Sequence, residues 1–501
     1  MKHYYFFILI VLTAFSAFCS DENSSAYARV EGVFRINTDI SAGEKSLAEI
    51  AKKAKRANMD FLVVSDQFLV RCEYGIPPFR NLLKLSKERP SVRKYGIENY
   101  LELIEKVEEN DKSLILIKGI DVAPHYRWRR NTSDSKLECR QFSQQLTLFG
   151  DLDGDFLCGL PVIHNSSWER NPLSILKKLY PLILIIPGLL LMRRKVIYDD
   201  AQGNKYYGAS SKIRKIIAFA IFAVSIIWTV DNRPFISDPG FDPYSDYGRL
   251  PFQKLIDHVK AVKGDKVGVS WSSPEARSAV EISGVRLVTE KYHDMITDSF
   301  NYDGFAGIYG DARTAHLPGR EWDIALRQYC DGKRNSPPFI FGELDYHKDY
   351  ENIPFDYIKT VVLMEKTKEK NSKNISSAMI DGNCYAVAKS GENEIVLDNF
   401  SVLCQDGNSA SSGGTVLVRE EQEVKLLIEG FIAGKTANRS SAKLRIILNG
   451  EELVSKKISE RKFLLEMPLP KDKLGKMNFV RLIIVSEQAG ELLSNPIFIR
   501  R

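Results

Sequence analysis

GVFRINTDISAGEKSLAEIAKKAKRANMDFLVVSDQ, residues 32–67, decides the fold. An alternating strand, VEGVFRIN, leads into SLAEIAKKAKRAN, where Leu47, Ile50, Ala51, Ala54 and Ala57 recur at helical spacing. The buried strand MDFLVVSD follows. A second unit repeats the pattern, with a helix over ENYLELIEKVEEN and a strand over SLILIKGID. These strands end in Asp66 and Asp121, which places two carboxylates at one edge of a parallel sheet. In α/β barrels and open sheets that edge is where chemistry is placed.

Further along, PFQKLIDHVKAVKG and REWDIALRQYCDGK read as helices, and DKVGVSWSS and PPFIFGELDYH as strands. From about residue 395 the pattern changes to period-two strands separated by Asn-Gly and Gly-rich turns, as in VKLLIEGFIAG and AKLRIILNGEEL. That pattern predicts a small antiparallel sandwich.

Two apolar runs interrupt the soluble pattern: LYPLILIIPGLLLM at 179–192 and IIAFAIFAVSIIWTV at 216–230. Each is shorter than the ~20 residues that span a bilayer comfortably, but flanking Lys177, Lys178, Lys212 and Lys215 could snorkel and lengthen them. The link at 193–215 is rich in Arg and Lys, which the positive-inside rule puts in the cytoplasm. The N-terminus, MKHYYFFILIVLTAFSAFCS, reads as an export signal or short anchor. Ala26-Tyr27-Ala28 fits small-x-small cleavage, and Ser16-Ala17-Phe18-Cys19 resembles a lipobox with departures at Ser16 and Phe18. The remaining cysteines are Cys72, Cys139, Cys158, Cys330, Cys384 and Cys404; none has CxxC spacing. Cys139 with Cys158 and Cys384 with Cys404 are the closest pairs in sequence, and connectivity stays open.

The chain has 501 residues, 44% hydrophobic and 27% charged, enough for two or three domains with a sizeable core. Its formal net charge of +6 is small for that length. No aromatic-interleaved basic stripe is present, which argues against a nucleic-acid partner.

The opening stretch resembles the start of PHP (polymerase and histidinol phosphatase) domains, which have a His-x-His-Thr strand end, a helix and a strand ending Thr-Asp-His. GREWDIALRQYCDGKRNSPPFIFGELDYH resembles the family's closing motif, Gly-x-x-Asp-x-His, and SSAMIDGNCYAV its following helix and Gly turn. LLSNPIFI is similar to the end of the sandwich appended to many exported PHP proteins. The resemblance implies an α/β fold, a distorted (βα) barrel followed by an antiparallel β-sandwich; the two apolar runs interrupt the barrel with a transmembrane helical hairpin. The expected segments are a signal or anchor at 1–28, barrel at 29–175 and 231–392, hairpin at 176–230, and sandwich at 393–501.

Carried over by position, the family's ligands are uneven. Arg35 and Asn37 stand at the two histidines of His-x-His. Asp66 is kept, but Gln67 replaces the histidine after it. Asp121 stands where the family has a metal-bridging glutamate, and Ser273 where it has a histidine before proline. Asp345 and His347 are intact. A multinuclear hydrolytic centre needs imidazoles and carboxylates around divalent ions with one position open for water. Arg35 has no lone pair to give and stays protonated; Asn37, Gln67 and Ser273 are weak ligands for zinc or manganese.

Two expectations follow. In one, Arg35 replaces the metal and neutralises Asp345, Asp66 or Asp121, while Asn37, Gln67 and Ser273 line a pocket that binds a small molecule or an envelope protein. In the other, one zinc or manganese survives on Asp66, Asp121, Asp345 and His347, with His125 or His164 as further candidates, and Asp345 and His347 serve a phosphoesterase reaction. His258, His293 and His316 have no partners in sequence. Both readings place the protein in a bacterial cell membrane with soluble domains facing the periplasm.

Overall fold

The computed structural model describes residues 27–130, 136–193, 196–199, 201–208, 212–282, 284–311, 313–419, 422–437 and 440–501. The expected export signal, the Ala26-Tyr27-Ala28 cleavage motif before Arg29 and the Cys19 lipobox lie outside the described residues, apart from Tyr27, Ala28 and Arg29.

Seven strands close into a barrel: β1 (Tyr27–Ile36), β2 (Phe61–Gln67), β3 (Ile115–Val122), β4 (Leu146–Gly150), β5 (Val267–Trp271), β6 (Gly304–Ile308) and β7 (Phe339–Tyr346). Neighbours pair in that order and β7 pairs back onto β1. All pairs are parallel except those of β4, which runs antiparallel to β3 and β5. The protein is thus a mixed α/β chain built on a closed barrel.

Side-chain alternation sorts each strand into an inner and an outer face. Phe34, Phe61, Val63, Ile117, Phe149 and Phe341 share one buried cluster inside the barrel. Phe34 stacks on Phe341 and meets Phe149 edge-on, with ring centroids 5.3 and 5.4 Å apart. Gly268 makes room for the layer, since a Cβ there would come within 2.3 Å of the Phe149 ring. Ile375 and Met379 of the helix Ser372–Ile380 belong to the same cluster. The outer faces carry Leu62, Val64, Val267, Val269 and Trp271, which pack in a second cluster with the surrounding helices.

Helix α1 (Leu47–Arg56) is representative. Glu49 accepts from the backbone N–H of Ser46 at 3.0 Å, so the first turn is capped. Leu47, Ile50, Ala51 and Ala54 are its buried face, and burying a residue such as Ile50 contributes about 1.5–3 kcal/mol. Helix α2 (Ile97–Asn110) does the same with Tyr100, Leu101 and Ile104.

Segments that follow β2, β3 and β5 form two small sheets. One is the hairpin Arg71–Gly75 with Lys84–Glu88. The other joins Arg127–Arg130, Leu137–Arg140, Val285–Thr289 and Ser278–Ile282. Because they follow strand ends at the same rim, they roof the barrel mouth. Cys72 and Cys139 meet between them with sulfurs 3.5 Å apart; the six described cysteines form no disulfide.

Between β4 and β5 lie apolar helices. Pro172–Lys178 and Tyr180–Arg193 meet at 47° and pass together as one long apolar pair; helix α3 (Ile185–Arg193) is its last part. Helix α4 (Lys212–Asp231) has 20 residues and mean hydropathy 2.0, and is long and apolar enough to cross a membrane. It begins four residues before the apolar run read from sequence, because Lys212 to Lys215 extend the same helix. Gly188 lets the two helices approach: a Cβ there would lie 2.4 Å from the Phe222 ring. Ser225 Oγ donates to the Pro181 carbonyl at 2.7 Å.

After β7 the barrel sheet continues outward. Strand β8 (Ile358–Glu365) pairs antiparallel with β1, and the sheet runs on through Cys384–Ala388, Gly490–Ser494, Met477–Ser486 and Ala442–Leu448. A separate four-stranded sheet contains Glu394–Cys404, Val424–Ala433 and Lys462–Pro468. Val402, Leu426 and Ile428 of the latter share one core with Leu444, Leu482 and Ile484 of the former. Val361, Leu363, Tyr385 and Val387 join that core, so chain before residue 393 contributes to it.

Candidate functional site: a carboxylate cluster around Arg35

The mouth lies one layer above the phenylalanines. Inner-face alternation on β3 carries from Ile117 through Gly119 to Asp121, and on β7 from Phe341 through Glu343 to Asp345. On the antiparallel β4 the order is reversed, so Gln145 and Thr147 sit above Phe149. Into this ring β1 sends Arg35, at a bulge between Phe34 and Ile36.

The Arg35 guanidinium is buried and fully engaged. Its Nε donates to Asp121 Oδ2 at 2.7 Å, Nη1 to Glu343 Oε1 at 2.5 Å, and Nη2 to Gln145 Oε1 at 2.8 Å. Nη1 also reaches Ser273 Oγ at 3.2 Å and pairs with Asp345 Oδ1 at 3.2 Å. Thr147 donates to the other Asp121 oxygen at 2.6 Å. Ser273 donates to Glu343 Oε1. His347 Nε2 lies 2.9 Å from Asp345 Oδ1.

Three of these residues hold left-handed backbone: Arg35 at φ 68, Ser273 at φ 42 and Asp345 at φ 52. For a residue with a Cβ that region costs roughly 1–2 kcal/mol. Strain of this kind persists where surrounding structure enforces it, and it gathers at functional sites.

The electrostatics follow from burial and from the single cation. Burial works against the charge of Arg35, but Asp121, Asp345 and Glu343 outweigh it and hold the guanidinium's pKa above the usual arginine value. Burial pushes Glu343 up to about 7, with Arg35 pulling the other way. Burial likewise raises Asp121. Asp345 is exposed over a third of its side chain. Against the upward push of burial, Arg35 and His347 bring its carboxyl down to about 2. His347 is pushed down by burial but raised overall by Asp345.

Asp66 stands apart. It shares the outward face of Leu62 and Val64, while Ser65 and Gln67 follow Phe61 and Val63 inward. Its oxygens accept from the Thr38 N–H and hydroxyl, each at 2.8 Å, and from Ser41. Burial, its largest influence, pushes it up to about 6. The expected grouping of Asp66 with Asp121, Asp345 and His347 therefore does not form, because strand alternation turns Asp66 toward the helix side. Asn37 is buried near the same loop and accepts from Ser41 at 3.3 Å. Gln67 lines a cleft of about 70 Å³ together with Asp121, His125 and Gln145.

The other histidines lie outside the cluster. His125 is buried against Phe241 and Tyr247, with Nε2 3.2 Å from the Asp242 carbonyl, and burial pushes its pKa down. His164 meets the Tyr126 hydroxyl at 2.7 Å and is pushed by burial to about 4. His258 stacks on Phe156, His293 lies 3.8 Å from Glu321, and His316 lies 3.3 Å from Glu491.

These donors do not fit a divalent ion. Arg35 takes the oxygens of Asp121 and Glu343 that would face one, Thr147 takes the remaining Asp121 oxygen, and a guanidinium offers no lone pair. Among the described residues, no group of three His, Cys, Asp or Glu could hold a metal. Glu343, Gln145 and Thr147 escaped the sequence reading. The i, i+2 spacing of Glu343 and Asp345 on one strand was the available signal for Glu343; Gln145 and Thr147 carried none.

The fold and the site define a closed α/β barrel whose mouth is built around a buried arginine. No protein-family profile matches the sequence, and no curated protein matches it. Three solved structures show a distant likeness to this chain. A Bacteroides vulgatus two-domain protein containing a predicted PHP-like metal-dependent phosphoesterase is 10% identical, with 93% of this chain and 95% of that one covered at TM-score 0.35. A Bifidobacterium adolescentis protein assigned as a metal-dependent phosphoesterase is 12% identical, covering 63% and 87% at TM-score 0.25. An amidohydrolase from Chromobacterium violaceum, with bound sulfate and no metal, is 9% identical, covering 64% and 89% at TM-score 0.27.

Proposed function

We propose that this chain is a membrane-tethered, periplasm-facing protein of PHP type whose barrel binds a ligand or envelope partner without hydrolysing it. One observation carries the reading: Arg35 bonds Asp121 and Glu343 and pairs with Asp345 at the mouth of the barrel. A fixed cation there satisfies carboxylates that would otherwise repel one another and take up protons. It cannot activate water as a bound metal does.

Two further observations favour binding. Asn37 Nδ2, Glu343 Oε2 and His347 Nδ1 are buried and make no hydrogen bond among the described residues. Such groups are costly to leave unmet, and a bound molecule would meet them. The apolar helices supply the tether, because α4 is long enough to span and only 17% of its apolar stretch is buried. The C-terminal sheets read as the sandwich appended to the barrel.

The test is turnover. Purified full-length chain, supplied with Mn²⁺ or Zn²⁺ and a generic phosphodiester, is expected to show no hydrolysis above that of Asp345→Asn. Metal-dependent turnover that the substitution abolishes would establish the hydrolytic reading, with Asp345 and His347 as its surviving pair.

A further inference from the structure

Two cavities adjoin above the barrel mouth. The smaller, about 70 Å³, is polar, with Gln67, Asp121, His125 and Gln145 on its walls. The larger, about 210 Å³, is apolar, walled by Tyr74, Trp128, Leu137, Val285 and Leu287. Val70, Arg89 and Phe142 line both, so the apolar chamber and the polar cleft share a wall.

The chamber opens at an apolar rim. Leu85, on its wall, is 70% exposed, and the adjoining loop adds half-exposed Ile76, Leu82 and Leu83. That loop is fastened to the end of α4: Asp231 Oδ1 accepts from the backbone N–H groups of Asn81 at 2.8 Å and Leu82 at 2.9 Å. Trp168, 78% exposed, lies beside the same end, paired with Ile236 just beyond the helix. Contiguous exposed apolar surface of this kind marks an interaction site. If α4 spans a bilayer, this loop sits where lipid chains begin. Lys87 and Arg89, both exposed, lie at the chamber's edge. Basic groups at that level attract anionic headgroups.

We infer that the roof of the barrel binds an anionic membrane phospholipid. An acyl chain occupies the apolar chamber, Arg89 and Lys87 hold the phosphate, and the headgroup reaches toward Gln67 and Gln145. The inference rests on the membrane tether proposed above and names the ligand class of the same mouth.

Tryptophan quenching tests it. Full-length chain carrying Trp168→Phe and Trp228→Phe is placed in nanodiscs of phosphatidylglycerol or phosphatidylcholine with brominated chains. The Trp128 signal is isolated by subtracting a Trp128→Phe variant. The expected result is loss of Trp128 emission, greater in phosphatidylglycerol. Leu287→Phe, which fills the chamber, should reduce that loss. Arg89→Gln, at an exposed position that leaves the core intact, should equalise the two lipids. Undiminished Trp128 emission, when the unsubstituted chain in the same discs has its Trp228 quenched, overturns the lipid site and leaves the tether standing. Equal quenching by both lipids before any substitution overturns the anionic assignment. An unsubstituted chain that stays lipid-free with Trp228 unquenched overturns the tether itself, and the lipid site with it.

Discussion

Two buried arginines serve this molecule in different ways. Arg481 meets one carboxylate: its Nε and Nη2 donate to the two oxygens of Asp323 at 2.7 and 2.8 Å, and Nη2 also reaches the His316 carbonyl at 2.9 Å. Its guanidinium lies 4.5 Å from the Trp322 ring centre, and neither partner has positive φ. One charge balances one charge, and a helix outside the barrel is pinned to the C-terminal sheet. Arg35 faces three carboxylates instead, from a strained backbone. A balanced pair in relaxed backbone is a staple. An unbalanced cluster in strained backbone is a candidate site.

The comparison can be broken or sharpened by substitution. Arg481→Ala should cost most, about 3–5 kcal/mol in unfolding free energy, because it leaves Asp323 buried and unpaired. Chemical denaturation measures it. Arg35→Met should cost less, about 2–3 kcal/mol near pH 8, since Asp345 is partly exposed and the freed carboxylates can take up protons. Its deficit should shrink as the pH is lowered toward 5. Equal losses with the same pH dependence for both variants would erase the distinction between staple and site.

Glu343→Gln should change stability by about 1 kcal/mol at neutral pH, and its effect is chiefly on slope. The Glu343 carboxyl is raised from 4.5 to about 7 on folding. Between those values the folded chain holds a proton that the unfolded chain has released, so this group makes stability fall as pH rises through that window. Glutamine removes that contribution, and the melting temperature should fall less steeply from pH 4.5 to 7. An unchanged slope would mean Glu343 keeps its ordinary titration. His347→Gln should have the smallest effect, under about 1 kcal/mol, because the Asp345 pair is part-exposed. A larger loss in thermal melts would make His347 part of the staple-like framework.

The barrel was legible because its signals are local. Apolar periodicity in Leu47, Ile50 and Ala54, and strand ends at Asp66 and Asp121, need no knowledge of distant residues. The convergence of Arg35, Asp121 and Asp345 was anticipated from motif positions, and their distances now stand beside it. What escaped depends on register. Asp66 was grouped with the mouth carboxylates although alternation with Leu62 and Val64 turns it outward. Gln145 and Thr147 reach the mouth only because β4 reverses direction, which nothing in LTLFG announces. Cys72 and Cys139 meet across 67 positions, a proximity that spacing along the chain does not signal.

Metal content tests the central claim most directly. Full-length chain dialysed against Zn²⁺ or Mn²⁺, then freed of excess ion, should carry no stoichiometric metal at the barrel mouth, and Asp121→Asn should leave the metal count unchanged. One or more tightly held ions per chain that disappear in Asp121→Asn or Asp345→Asn would contradict the account, because Arg35 could not then occupy the place described for it.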